Sequence, residues 1–156
     1  MPDIANDRRL DPRVRAMLAA FPEMKPTDAD SWEQIVAEAK ASDIGDMIAA
    51  MMDANDTEEI APSAGLRITE HEFTSSPDGN TIKIRFVRPD NDDVVPGVYY
   101  IHGGGMASMS AFDGNYRAWA KIIAANGVAV TMVDFRNSVS PSSAPEVVKY
   151  PGGLDD

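Results

Sequence analysis

Apolar residues in the first 62 positions recur every three or four places. From position 66 onward they gather into short runs punctuated by Gly, Pro, Asn and Asp. The first pattern predicts helices, and the second predicts strands joined by turns. Asp11 and Pro12 open a first helix whose Val14, Met17, Leu18 and Phe21 share a face, with Pro22 and Pro26 ending it. Ser31 and Gln34 have capping-box spacing and open a second segment, with Trp32, Ile35, Val36 and Ala39 on one side. Ile44, Met47, Ile48, Met51 and Met52 repeat the logic in a third, whose start Gly45 blurs. Methionine side chains are flexible and polarisable, so Met47, Met51 and Met52 could line an adaptable apolar surface as well as pack.

Residues 66–74 and 81–87 are strand-like runs joined by S-S-P-D-G-N, which predicts an antiparallel hairpin. Ile82, Ile84 and Phe86 alternate with Lys83, Arg85 and Arg88, implying one buried and one wet face. His71, between Glu70 and Glu72, reads as a surface or structural histidine. After the loop from Pro89 to Pro96 comes V-Y-Y-I-H-G-G-G, from Val98 to Gly105, an unbroken apolar strand running into three glycines. Without polar alternation it is expected to be buried on both faces. A helix from about Asn115 to Asn126 follows, with Asp113 as its cap and Asn126-Gly127 as its stop, and then the apolar run V-A-V-T-M-V-D-F. Strand, helix and strand in this order predict a βαβ unit, which places the glycines at the carboxyl end of a parallel sheet, where open α/β sheets bind ligands. The fold class is therefore α/β, an antiparallel hairpin plus βαβ with helical segments ahead of it.

Three residues without a Cβ let successive N–H groups converge on one point, which suits an anion. His102 followed by Gly103, Gly104 and Gly105 resembles the HGGG oxyanion loop of the hormone-sensitive-lipase branch of the α/β-hydrolases. Asp134-Phe135-Arg136 resembles the aspartate-aromatic-arginine signature of that family. Ala144-Pro145-Glu146 resembles the alanine-proline-glutamate that follows it, here after seven intervening residues. The resemblance runs from about Leu10 to Asp156 and covers the first half of the family's catalytic domain. It implies carboxylic ester hydrolysis, with the N–H groups of Gly104 and Gly105 as oxyanion donors, Gly103 shaping the turn, and His102 supporting the loop without acting as base. Met106, Met109 and Phe112 become candidate walls of the substrate pocket. Asp134, Arg136 and Glu146 become structural, with Arg136 paired to a carboxylate. Residues 1–62 become a helical cap over the mouth of the sheet, with the methionines of the third segment facing it, and residues 63–156 the first half of the core.

No G-x-S-x-G nucleophile elbow occurs, and neither Ser108 nor Ser110 has a histidine placed to activate it. The nucleophile, acid and base are therefore expected from a C-terminal half, present as a second fragment or chain. Without that half the Val98 to Ile101 strand would be an open apolar edge, inviting aggregation or pairing with another copy as a homo-oligomer. Two other classes stay open: a ligand-binding receptor or pseudo-enzyme on the same scaffold, like the plant gibberellin receptors, and a dinucleotide-binding domain. The G-G-G spacing, instead of G-x-G-x-x-G, weighs against the latter.

Composition narrows the partners. A net charge of −11 repels phosphate backbones and anionic lipid, and it is concentrated early: residues 1–66 hold 14 acidic and 6 basic side chains, residues 67–156 hold 11 and 8. No nucleic acid, no membrane span and a cytoplasmic location are the expectations. With no cysteine and two histidines, neither a thiolate site nor a histidine metal cluster is expected. No metal and no cofactor is implied, and the implied ligand is a small-molecule ester.

Overall fold

The computed structural model describes residues 6–20 and 28–156. Phe21, Pro22 and Pro26, expected to complete and end the first helix, lie outside the described residues. Two compact units divide between Asp30 and Ser31. The first holds α1 (Pro12–Ala20), whose Arg13 N–H donates to Asp11 Oδ1 at 2.8 Å, the expected cap.

The second unit holds everything else. Helices α2 (Trp32–Lys40) and α3 (Ile44–Asp53) precede β1 (Leu66–Thr74), β2 (Thr81–Pro89), β3 (Gly97–Ile101), α4 (Gly114–Ala125), β4 (Ala129–Asp134) and α5 (Gly152–Asp155). Ser31 caps α2 through the Gln34 N–H at 3.2 Å. The sequence divides the chain near residue 62, and in the structure α2 and α3 share a compact unit with the sheet, α2 held to the loop after β4 and α3 to α4. The Trp32 indole N–H donates to the Ser138 carbonyl. Arg117 on α4 pairs with Asp53 at 3.1 Å and Asp56 at 2.6 Å, and the buried Lys121 meets Asp56 at 2.7 Å. At Gly114 the α3 backbone passes so close that a Cβ would collide with Asp53 Cα.

The sheet order is β1-β2-β4-β3, with β1, β2 and β4 antiparallel in turn and β3 parallel to β4. The hairpin and the parallel pair are those the sequence predicts. The faces are not. Register places Val87 opposite Val130 and Arg85 opposite Met132, and α4 packs its Ala120 and Ala124 on this side, so the main core lies on the face assigned to the wet positions. Ile82 joins Val133 and Phe135 in a smaller cluster on the other face. Ile84 and Phe86, next to it along the strand, are only half-buried, since among the described residues α4, on the opposite face, is the helix that packs extensively on β2. The driving force is the apolar area of α4, which needs a continuous apolar strip and finds it in Val87, Val130 and Met132.

Strand β3 is the edge of the sheet. Tyr100 points under α4 and meets Tyr116 with ring centroids 5.9 Å apart. Tyr99 and Ile101, on the opposite face, are each 63% exposed, where burial on both faces was expected. An apolar run marks a strand that some sheet buries, but only neighbours bury it, and here β4 alone is beside it.

A charged knot ties the end of the described chain to the hairpin turn. Arg136, just past β4, pairs with Asp156 at 2.8 Å and Asp78 at 2.7 Å, which is the predicted arginine–carboxylate pair. Asp156 also accepts from the Asn80 amide at 3.0 Å. Burial pushes the Asp156 carboxyl up, but the hydrogen bonds from Arg136 and Asn80 outweigh it and hold it below the usual carboxylate range. Arg136→Ala would leave the Asp156 carboxylate buried without a counter-charge, with the Asn80 amide still bonded to it, so urea titration at pH 7 is expected to show a loss of about 3 kcal/mol. Because the folded pKa is depressed, the contribution is full above the unfolded value near pH 4 and disappears as pH falls through the folded value. A wild-type minus variant difference that does not shrink below pH 4 would contradict the assignment. Among the described residues, no helix is long and apolar enough to cross a membrane.

Candidate active site

Strand β3 ends at Ile101 and delivers His102 into the interior at 4% exposure. Its ring stacks on Phe135 at 4.3 Å with planes 3° apart. Its Nδ1 donates to the Gly103 carbonyl at 2.8 Å, while Nε2 lies 3.8 Å from Asp134 Oδ1, beyond hydrogen-bonding reach. The imidazole therefore braces the start of the glycine turn from within.

The three glycines do different jobs. A Cβ on Gly103 would come 2.7 Å from the Tyr116 hydroxyl, so this position gives room to α4. Gly104 has φ +106°, and a Cβ there would run into the Ser108 carbonyl oxygen. Gly105 has φ +64° and open space around it. The chain then closes on itself, with the N–H groups of Ala107 and Ser108 bonded to the Gly104 carbonyl at 3.1 and 3.3 Å. Met106 at φ +56° and Met109 at φ +74° continue in left-handed backbone, which costs roughly 1–2 kcal/mol for a residue with a Cβ. Surrounding contacts must repay that cost.

The segment leaving β4 supplies them. Ser138 N–H donates to the Met106 carbonyl, and the N–H groups of Val139 and Ser140 both donate to Ala107. The Asn137 side chain donates to the Met109 carbonyl at 2.6 Å. Asp134, 1% exposed, accepts from Ser110 Oγ at 2.8 Å, from the Ala111 N–H at 2.6 Å and from the Ser143 N–H at 2.7 Å. One carboxylate thus fastens both loops at the carboxyl end of the sheet. Asp113, read as the cap of α4, has the extended backbone of a cap, but its side chain makes no capping bond and accepts the Ser110 N–H at 3.0 Å instead. Burial pushes its carboxyl up.

Between these loops and helices α2 and α3 lies a cleft of about 690 Å³. Met109 and Phe112, two of the candidate pocket walls, line it together with Ser108 and Ser110. Met106 does not. It packs against Ile82, Val133 and Phe135 and borders a groove of about 100 Å³ beside Tyr99 and Ile101 on the open face of β3. From the helices the lining is Val36, Ala39, Ile48 and Ala49. The methionines expected to face the mouth are elsewhere, with Met52 buried and Met51 exposed. Periodicity identified the apolar face of α3, but α3 meets α4 at its C-terminal end, beside Met52 and Asp53. Sequence reading also passed over Asn137 as a site residue. Its only signal was position, immediately after Arg136.

Neither family models nor curated proteins match the sequence. Solved structures do. Esterase Est22 is 53% identical over 98% of this chain with a TM-score of 0.87, and the alignment covers 46% of Est22. Brefeldin A esterase, described as a bacterial homologue of human hormone-sensitive lipase, is 27% identical over 94% of this chain and 42% of its own, with a TM-score of 0.68. A bacterial heroin esterase is 26% identical over 94% of this chain and 39% of its own, with a TM-score of 0.63. The chain spans less than half the length of each of these esterases. A shared backbone across nearly every residue, with over half the side chains in common with one esterase, places the chain in the hormone-sensitive-lipase family of α/β-hydrolases, matching the N-terminal half of these esterases.

Proposed function

We propose that this chain provides the oxyanion loop and the cap side of a carboxylesterase whose nucleophile, acid and base come from a second half. The observation that carries the proposal is the turn at Gly104 and Gly105: left-handed backbone at both positions, with the loop locked from behind by His102 and Asp134. Donors fixed before the reaction stabilise charge without reorganising when it appears.

In this reading a serine of the second half, deprotonated by a histidine, attacks the ester carbonyl. The electron pair of the C=O bond moves onto oxygen, and the N–H groups of Gly104 and Gly105 receive the resulting oxyanion. Collapse expels the alcohol, which takes its proton from the histidine, and water then releases the acid by the same route in reverse. Helices α2 and α3 act as the cap, and the cleft they border with Met109 and Phe112 receives part of the substrate. Loss of the Tyr99 and Ile101 exposure against a further strand is the contact by which the second half completes the sheet.

One of the Est22 structures holds p-nitrophenol, which makes p-nitrophenyl esters apt probes here. The protein carrying both halves is expected to release p-nitrophenol from p-nitrophenyl butyrate and to be labelled by a fluorophosphonate on one serine beyond residue 156. Absence of turnover and of labelling in a folded two-half protein would overturn the esterase reading.

A further inference from the structure

Two residues with side chains follow the glycine turn in left-handed backbone, and each is held through its carbonyl. For Met106 the donor is the Ser138 backbone. For Met109 it is a side chain, the amide of Asn137 at 2.6 Å, while the Met109 sulfur accepts from the Tyr116 hydroxyl at 3.2 Å. Asn137 is fully buried, its own carbonyl takes the Val148 N–H, and its Oδ1 has no hydrogen-bonding partner among the described residues. Only the NH2 group can donate to a carbonyl, so the amide orientation follows from the contact.

We infer that Asn137 is a positioning residue for the glycine turn, acting on Gly104 through Met109 and Ser108. The path is short. Holding Met109 at φ +74° fixes the preceding Ser108 carbonyl, which occupies the space where a Gly104 Cβ would stand, and the Ser108 N–H is bonded to the Gly104 carbonyl at 3.3 Å. Released from Asn137, Met109 would relax toward negative φ, and the Ser108 carbonyl would turn with it. Asn137 is also the first of the seven residues that separate Asp134-Phe135-Arg136 from Ala144-Pro145-Glu146, so the device belongs to the stretch where this chain departs from the family spacing. The inference rests on the reading of Gly104 and Gly105 as oxyanion donors.

The test is a cycle in the two-half enzyme with p-nitrophenyl butyrate. Asn137→Leu keeps the branched shape and removes the donor, and it is expected to lower kcat by about 10–100-fold with a much smaller change in KM, the signature of misplaced groups that act in the transition state. Met109→Gly removes the penalty for left-handed backbone, so in that background Asn137→Leu is expected to lower kcat by no more than about threefold. A residue that merely fills the core would give the same loss in both backgrounds. Thermal unfolding is followed alongside, and if Asn137→Leu does not fold, Asn137→Ser, whose hydroxyl is too short for the contact, enters the same cycle. Equal losses in the two backgrounds, an effect on KM alone, or an unchanged kcat would overturn the positioning role. Failure of the unsubstituted enzyme to turn over the ester would instead overturn the oxyanion reading beneath it.

Discussion

Gly104→Ala in the two-half enzyme is expected to lower kcat for p-nitrophenyl butyrate by about 10²–10³-fold while KM changes little, the range seen when one oxyanion donor is lost. The donors act on a charge that exists only in the transition state, so their misplacement leaves ground-state binding almost untouched. Sequence alone suggests a substitution that folding tolerates easily. The structure makes it harsher, because the new Cβ would collide with the Ser108 carbonyl and because φ +106° is strained for alanine. The turn must move, and its N–H groups move with it. Gly105→Ala is the comparison: φ +64° carries the left-handed penalty of roughly 1–2 kcal/mol that Met106 and Met109 also bear, but nothing lies near its Cβ, so it is expected to cost far less kcat than Gly104→Ala. A raised KM with unchanged kcat for Gly104→Ala would count against the oxyanion role, as would equal losses at the two glycines.

The second large effect is all-or-none. Residues 1–156 alone are expected neither to hydrolyse p-nitrophenyl acetate above background nor to be labelled by a fluorophosphonate. Ser110, Asp134 and His102 lie close together, yet their order is wrong for catalysis. The Ser110 hydroxyl donates to Asp134 and not to an imidazole, and His102 Nε2 is 3.8 Å from that same carboxylate oxygen. A serine bonded to a carboxylate that two backbone N–H groups already engage has no imidazole to take its proton and no general acid for the leaving alcohol. Addition of a fragment beginning near residue 157 is expected to restore both properties by pairing along β3, whose Tyr99 and Ile101 are exposed. Mass mapping of the labelled serine decides the matter, since a label anywhere within residues 1–156 of the isolated chain would refute the placement of the nucleophile.

Local chemistry was legible in the sequence wherever short-range rules govern it. Asp11 and Ser31 cap α1 and α2, Gly127 at φ +85° stops α4, and the Asp-Gly turn joins β1 to β2, all within a few residues of the signals that predicted them. The family likeness was legible too, because H-G-G-G and D-F-R are contiguous. The three candidate pocket walls fall in two places. Met109 and Phe112 line the cleft, but Met106, three residues earlier in the same loop, turns into the core, since left-handed backbone at 106 and 109 redirects side chains in a way no periodicity describes.

By itself, then, the sequence determined the order and type of the elements and the turn where three glycines follow a strand, because each follows from backbone preference, while the pairing of Arg136 with a carboxylate came from the resemblance its motif carries. Which sheet face α4 covers, that Tyr99 and Ile101 stand exposed, that Ile48 and Ala49 rather than the methionines of α3 meet the cleft, and that Asn137 holds Met109 were decided by tertiary structure. Each of these depends on what another segment, up to about a hundred residues away, brings alongside, and packing chooses among faces that local propensity leaves equivalent.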